Sequence, residues 1–185
     1  ANLLNQSSFR LGVPGSGKSF AAKQEIASVA LATDHDIIVV DPEREYGPLV
    51  RALGGEIITI SATAENHINA LDISEEYGDG RNPLVLKSEF VMSLIQQLMD
   101  GRVGPKDNKT YQGEPPTLRD LYQDMLRQTE AEARSLALAL ELFATGSLNV
   151  FAHQTNVDTQ NRILCYDIQE LGENLKPVGL LVMLD

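Results

Sequence analysis

Short β-branched apolar runs alternate with segments of helical periodicity along the first third of the chain. Strands are predicted at 36–41 and 56–60, and helices at 18–31 and 46–53. A further strand is predicted at 9–11, directly before the glycine-rich turn that leads into the first helix. Because strands and helices alternate, the pattern predicts an α/β fold with a doubly wound parallel sheet flanked by helices.

The middle of the chain is predicted to be helical. Apolar residues recur at three- and four-residue spacing in 84–99, 118–128 and 130–144. Thr117 is the predicted N-cap of the second of these helices, and Asp120 is its partner in a capping box. We interpret the last two helices as a small all-α insertion in the α/β fold.

These elements divide the chain into three predicted parts. Residues 1–110 form the first part of the α/β core, 111–147 form the helical insertion, and 148–185 return to the core. In the last part, 162–168 is a compact apolar run that predicts a strand. The segment 178–185, which follows a proline, is either a strand or the start of a buried helix. We therefore expect the chain to be part of a larger domain.

Composition and charge limit the function classes. The chain has 185 residues, of which 43% are apolar and 22% are charged, as in ordinary globular domains. Its net charge of −11 opposes a phosphate backbone, so direct nucleic-acid binding by this chain is disfavoured. No signal peptide and no apolar run of about 18 residues is visible.

The cysteine and histidines give little sign of a metal or nucleophilic site. The single Cys165 forms no internal disulfide, which favours a reducing cytoplasm, and its apolar surroundings favour an inert core residue. His35 and His67 lie in polar stretches, and no cysteine or second histidine lies at metal-ligand spacing from His153, so no structural metal is expected.

Residues 12–19, with the sequence GVPGSGKS, match the phosphate-loop pattern. Glycines allow the backbone to fold around an anion with its N–H groups pointing inward, and the following helix directs its positive end at the same point. Lys18 is expected to contact the β- and γ-phosphates of a nucleoside triphosphate, and the Ser19 hydroxyl to bind Mg²⁺. The predicted nucleotide-binding residues are Gly12, Val13, Pro14, Gly15, Ser16, Gly17, Lys18, Ser19 and Phe20.

A cluster of carboxylates follows the predicted strand 36–41. Asp41, Glu43 and Glu45 would lie at the carboxyl end of a strand, where open α/β sheets bind ligands. There a carboxylate can hold Mg²⁺ through water or orient an attacking water. Asp41 and Glu45 are therefore the candidate catalytic residues beside Lys18, and the alternative is a solvated acidic turn. Arg162 either reaches a phosphate or is a charge at a strand edge.

Five stretches of the sequence together resemble the ATPases of type IV secretion and conjugative-transfer systems, specifically the VirB-four class. The resemblance covers about 11–185. The phosphate loop at 12–19 combined with DPEREY at 41–46 identifies this class more selectively than either motif alone. The stretches are GVPGSGKSFAAKQEI at 12–26, IIVVDPEREYGPLVRALGGEIITI at 37–60, INALDI at 68–73, GSLNVFAHQTNVD at 146–158 and RILCYDIQELG at 162–172.

The resemblance implies a RecA-like P-loop motor domain that hydrolyses ATP with Mg²⁺ to drive channel assembly or substrate transfer. It further implies a homo-oligomer, a hexamer, that works with other channel subunits at the cytoplasmic face of the cell membrane. Two departures from the family are visible. No apolar strand ending in Asp-Glu, the Walker B element, precedes Asp185, and the stretch 103–111 is short where relatives carry another helix.

Three other functions remain open from the sequence. The chain could bind ATP and dock into a channel complex without hydrolysing it, which the missing Walker B strand favours. A small-molecule or nucleoside kinase also fits the size and the loop, although no arginine-rich lid follows the helical insertion. A DNA-pumping coupling protein of the same motor superfamily is a near relative, against which the acidic charge counts.

Overall fold

The computed structural model describes residues 10–73, 82–98 and 115–184, apart from the side chains of Leu84 and Leu98. Six α-helices, three strands and one short 3-10 helix lie in these ranges. In chain order they are α1 (Lys18–Ala32), β1 (Ile37–Asp41), α2 (Gly47–Ala52), β2 (Glu56–Thr59), α3 (Pro83–Leu98), α4 (Leu118–Arg127), α5 (Ala131–Ala144), the 3-10 helix (Asn149–Phe151), β3 (Ile163–Asp167) and α6 (Lys176–Met183).

The three described strands form one parallel sheet with β3 between β1 and β2. The register pairs Ile37 with Ile163 and Asp41 with Asp167, while Thr59 lies opposite Asp167 on the other side. The carboxyl ends of all three strands therefore meet at one edge of the sheet. Every residue of β3 is buried, as expected for a central parallel strand that is covered on both faces.

Helices cover both faces of the sheet. Because side chains alternate along a strand, Leu164 and Tyr166 of β3 face one side, and Ile163 and Cys165 face the other. The first side is the larger core, to which α3, α6 and the 3-10 helix contribute buried residues. The second side is a smaller cluster in which Val50 of α2 is fully buried.

The prediction of an α/β fold with a parallel sheet flanked by helices is confirmed. Strands predicted at 36–41, 56–60 and 162–168 are present with ends that differ by one residue. The segment after 176 is a helix, α6, and not a strand, since Pro177 lies in its first turn, where a proline costs no hydrogen bond.

The prediction of a strand at 9–11 was wrong for the two residues that the structure describes. Arg10 and Leu11 belong to no strand, and Phe9 lies outside the described residues. Leu11 is 95% exposed and pairs with no neighbouring strand. An extended segment needs a partner for its N–H and C=O groups, which the local apolar pattern cannot reveal.

The two helices of the predicted insertion, α4 and α5, pack against each other. The predicted capping box is confirmed, because the Thr117 hydroxyl accepts from the Asp120 N–H and the Asp120 carboxylate accepts from the Thr117 N–H. The bonds that the Asp120 carboxylate accepts from the Thr117 N–H and from the Thr117 hydroxyl lower the pKa of Asp120. The division at 110 and 147 stays a prediction, and the short stretch 103–111 lies outside the described residues.

The helix that follows the glycine-rich turn, α1, is attached to the sheet by one side only. It has no buried residue, and its Ile26 and Ala30 are partly buried against the smaller cluster. Phe20, the last of the predicted nucleotide-binding residues, is 74% exposed. Within the described ranges, no helix combines the length and apolarity needed to cross a bilayer.

Candidate functional site

The glycine-rich turn at 12–17 is a tight loop that ends at the N-terminus of α1. The Ser16 N–H donates to the Val13 carbonyl oxygen (3.1 Å), and Gly17 is the N-cap with a φ of 82°. Gly15 has a φ of 79°, and a Cβ at either glycine would meet open space. Both positions therefore require glycine because of backbone conformation.

Gly12 is packed closely against Ser16. A Cβ at this position would lie 2.3 Å from the Ser16 hydroxyl oxygen and 3.3 Å from the Ser16 Cβ. A side chain at Gly12 would therefore require the Ser16 side chain to shift. Val13, Pro14 and Ser16 are exposed on its outer surface.

Lys18 is the first residue of α1, and its side chain folds back over the loop. Its ammonium group donates to the carbonyl oxygens of Gly12 (2.7 Å) and Val13 (3.0 Å). No side chain caps the N-terminus of α1, where unpaired N–H groups attract an anion. Ser19 and Phe20 follow in the exposed first turn. The loop therefore places a cation and a free helix N-terminus at the same point.

Asp41, at the end of β1, is 1% exposed and organises the turn between β1 and α2. One carboxylate oxygen accepts from the N–H groups of Glu43 (3.3 Å) and Glu45 (3.0 Å), and the other accepts from that of Tyr46 (2.8 Å). The carboxylate thereby holds the turn 42–46 and the start of α2. Both of its oxygens are engaged by backbone donors.

Glu45, the other predicted carboxylate, is exposed and lies on the α1 side of the turn. Its carboxylate is 4.0 Å from the Lys23 ammonium of α1, and this ammonium is 5.3 Å from the centre of the Tyr46 ring. Burial, together with Glu45 and Asp41, raises the pKa of Tyr46. The structure thus connects the turn that carries Glu45 to the helix that carries the phosphate-loop lysine.

The sequence analysis did not single out Arg44 and Asp167, which form an ion pair at the same edge of the sheet. Arg44 Nε donates to Asp167 at the end of β3 (2.5 Å), and an Nη donates to Glu170 (3.1 Å). These bonds raise the pKa of Arg44. Asp167 ends its strand as Asp41 ends β1, so the argument that selected Asp41 applies equally to Asp167.

A cavity of about 300 Å³ opens at this edge between α2 and the strands. It is lined by Asp41, Arg44, Gly47, Arg51, Ile57, Thr59, Cys165 and Asp167. Cys165 is fully buried in its wall, and burial, with the charges of Asp41 and Asp167, raises the pKa of the thiol to about 12. This agrees with the predicted inert role of Cys165, since a thiol reacts as its thiolate.

We expect the Cys165 thiol of the folded protein to react with iodoacetamide at about pH 8 roughly 100-fold more slowly than a free cysteine. The raised pKa and the burial both lower the concentration of accessible thiolate. Mass spectrometry of timed samples measures the rate, and the same protein in urea should react at the free rate. Equal rates with and without urea would contradict the buried position.

Arg162 lies at the opposite, amino edge of the sheet. Its guanidinium donates to the carbonyl oxygens of Ala30 (2.7 Å) and His35 (3.1 Å), so it ties the end of α1 to the start of β3. Of the two alternatives for Arg162, a phosphate contact and a charge at a strand edge, this position supports the second.

The polar segment 153–158 joins the loop after β2 to the start of α4. Asn156 accepts from the His67 N–H (2.7 Å) and donates to the Glu65 carbonyl oxygen (2.7 Å). Asn69, almost fully buried, donates through its side chain to the Pro116 carbonyl oxygen (3.0 Å) and to Gln154 (3.2 Å). Within the described residues, no group of three or more His, Cys, Asp or Glu could hold a metal ion.

Below about pH 6.5 we expect the protein to lose stability through His153. Burial, and then the nearby His67 and Arg119, lower the pKa of His153, whose ring stacks on that of His67 at 4.3 Å. The unfolded chain binds a proton at His153 more readily than the folded chain does. The stability that His153 contributes is therefore complete above its pKa in the unfolded chain, and it is lost as the pH falls through its lower pKa in the folded chain.

Urea unfolding between pH 7 and pH 5 tests this expectation. The His153→Gln variant should show a shallower decline in the free energy of unfolding than the wild type, whereas His35→Gln, at an exposed loop position, should not. Identical slopes for all three proteins would exclude His153 as the responsible group.

Comparison with known proteins adds a structural neighbour. No protein-family model matches the sequence, and no curated protein matches it. The fold is similar to that of VirB4. The solved structure of VirB4 of Thermoanaerobacter pseudethanolicus superposes with a TM-score of 0.70 at 22% sequence identity, covering 90% of this chain and 72% of that chain. At this identity the likeness to VirB4 shows the fold alone.

The residues at the glycine-rich turn fit a nucleoside triphosphate with Mg²⁺. The uncapped N-terminus of α1 and the Lys18 ammonium supply the donors and positive charge that phosphates require. The Ser19 hydroxyl is exposed beside them and provides the hard oxygen that Mg²⁺ prefers. The contact of Lys23 with Glu45 connects the helix that follows this turn, α1, to the carboxylate-bearing edge of the parallel sheet.

Proposed function

We propose that this chain is an ATP-binding and ATP-hydrolysing segment of a RecA-like motor in a type IV secretion or conjugation apparatus. The observation that carries the proposal is the closed glycine loop with Lys18 at the uncapped N-terminus of a 15-residue helix. The VirB4-like fold and the resemblance of the DPEREY and RILCYDIQELG stretches to that family support it.

The proposed roles follow from position and charge. Lys18 leaves the loop carbonyls to bind the β- and γ-phosphates of ATP and neutralises the charge that develops as the terminal phosphate departs. Ser19 would hold Mg²⁺, which draws charge from the phosphate oxygens. Glu45 has an exposed carboxylate and orients the attacking water, whereas Asp41 holds the turn through its backbone bonds.

The wider setting belongs to the same proposal. The resemblance implies a homo-oligomer, a hexamer, located at the cytoplasmic face of the membrane with other channel subunits. The exposed α1 leaves one side of the phosphate loop open to a neighbouring subunit. The net charge of −11 supports contact with protein rather than with nucleic acid, and ATP hydrolysis would energise channel assembly or substrate transfer.

Phosphate release from Mg·ATP by this chain, over a range of protein concentrations, tests the proposal. Release that rises steeply with concentration and is lost in Lys18→Ala supports an oligomeric ATPase. Tight binding of a fluorescent ATP analogue without any release would instead support an assembly module. Phosphate transfer to an added small-molecule acceptor would support a kinase, and absence of binding would overturn all three.

A further inference from the structure

Two aspartates lie side by side at the carboxyl edge of the sheet and act on the same turn in different ways. Asp41 and Asp167 are register partners, and both are buried. Asp41 binds the backbone of the turn 42–46, while Asp167 binds the Arg44 side chain from that turn. The turn is therefore held from its backbone by one strand and from a side chain by the neighbouring strand.

Arg44 adopts a backbone conformation that side chains rarely take. Its φ is 58°, and it is the single non-glycine residue with a positive φ among the described residues. Such a conformation persists where surrounding contacts impose it, and it is concentrated at functional sites. The contacts here are the bonds of its guanidinium to Asp167 and Glu170, two planar carboxylates that suit the forked guanidinium.

The arrangement directs successive residues of the turn to opposite sides. Arg44 reaches β3 and the segment after it, whereas Glu45 lies toward α1, with its carboxylate 4.0 Å from Lys23. Lys23 belongs to the helix whose first residue is Lys18. Loss of the Arg44 contacts would leave the turn held by Asp41 alone, through three of its backbone N–H groups, and would remove the side-chain anchor beside Glu45.

We infer that Arg44 is a positioning residue that presents Glu45 to the nucleotide site through its pairing with Asp167 and Glu170. The inference rests on the proposed function for the role of Glu45, whereas the placement of Glu45 beside Lys23 can be measured without ATP. The side-chain bonds of Arg44 go to Asp167 and Glu170 and not to the glycine-rich turn at 12–17.

The placement is tested by carbodiimide cross-linking of the full chain. The reagent joins an ammonium and a carboxylate in contact as an amide, with water transferred to the carbodiimide. In Arg44→Gly, where glycine suits the positive φ, the Lys23–Glu45 product should fall about fivefold or more. The Lys176–Glu173 product, from a pair at 2.5 Å, is the internal control and should not change. An unchanged Lys23–Glu45 yield would overturn the inference.

The role is tested by kinetics on the same variants. Arg44→Gly should lower kcat about tenfold and leave the affinity for a fluorescent ATP analogue within about twofold, and Arg44→Lys should fall between Arg44→Gly and the wild type. Lys176→Gln should match the wild type. In a Glu45→Gln background, Arg44→Gly should have no further effect, because the residue that it positions is already altered.

The outcomes separate the inference from the proposed function. Additive effects of Arg44→Gly and Glu45→Gln, or a loss of affinity that equals the loss of kcat, would overturn the positioning role. If the wild type releases no phosphate at any concentration, the proposed hydrolysis by this chain fails, and the cross-linking result alone decides whether Arg44 places Glu45. Thermal melting of Arg44→Gly verifies that the variant is folded.

Discussion

Replacing Lys18 by alanine is expected to reduce phosphate release from Mg·ATP by about 100-fold or more. Lys18 is the one cation that the structure places on the glycine loop itself, where it lies over the carbonyl oxygens of Gly12 and Val13. Alanine leaves the loop backbone and the N-terminus of α1 in place but removes the charge that offsets the phosphates. Affinity for a fluorescent ATP analogue should fall by about tenfold or more as well.

Stability measurements distinguish a lost site from a lost fold in this variant. The hydrogen bonds of Lys18 are made to the exposed glycine loop. The free energy of unfolding of Lys18→Ala should therefore lie within about 1 kcal/mol of that of the wild type. Lys176→Ala, which removes a half-buried lysine from an ion pair with Glu173, is the matched control and should keep full activity. Equal phosphate release by Lys18→Ala and the wild type would show that the glycine loop is not the site of hydrolysis.

Replacing Asp41 by alanine is expected to lower the free energy of unfolding by about 3 kcal/mol or more. The carboxylate is 1% exposed and accepts three backbone N–H groups, from Glu43, Glu45 and Tyr46. Alanine would leave these donors without their acceptor at the start of α2. For a chain of this size the loss corresponds to a melting temperature lower by roughly 6–12 °C.

Urea unfolding of Asp41→Ala beside Asp158→Ala measures this effect. Asp158 makes the same kind of turn bond, to the Gln160 N–H (2.8 Å), but at an exposed position, so its loss should cost about 0.5–1 kcal/mol. The loss of unfolding free energy in Asp41→Asn should lie between these two, because the amide nitrogen that replaces Oδ2 cannot accept from the Tyr46 N–H, whereas the amide oxygen can still accept from Glu43 and Glu45. Similar losses for both alanine variants would contradict the role of Asp41 in holding the turn.

These hydrogen bonds separate two carboxylates that the sequence treats alike. The DPEREY stretch offers Asp41 and Glu45 as equal candidates for catalysis. In the structure the Asp41 oxygens are engaged by the backbone, whereas the Glu45 carboxylate is exposed and lies 4.0 Å from the Lys23 ammonium. Because Asp41 is buried and fully engaged, it supports the turn, whereas the Glu45 carboxylate stays accessible at the surface.

Much of the secondary structure could be predicted because its causes are local. The periodicity of apolar residues gives α3 and α5, the β-branched runs give β1 and β2, and Thr117 with Asp120 gives the start of α4. Each depends on residues within a few positions of one another. The prediction at 9–11 was wrong for Arg10 and Leu11, because a strand also requires a partner that a local pattern does not contain.

The arrangement at the edge of the sheet could not be predicted in the same way. Arg44 and Asp167 are 123 positions apart, and they meet because β3 inserts between β1 and β2. The sequence likewise leaves open whether Arg162 reaches a phosphate or is a charge at a strand edge, and the direction of β3 places it at the amino edge, against the end of α1. A charged residue has the same local pattern at either end of a strand.

The sequence by itself determined the glycine loop, its lysine at a helix start, and the alternation of strands and helices, because each follows from steric or hydrogen-bonding demands of neighbouring residues. Only the tertiary structure decided that Asp41 supports the turn while the Glu45 carboxylate stays exposed, and that Lys23 lies near Glu45 and Arg44 near Asp167. Those choices depend on strand order and register, which bring distant parts of the chain into contact and are fixed by burial of the shared core.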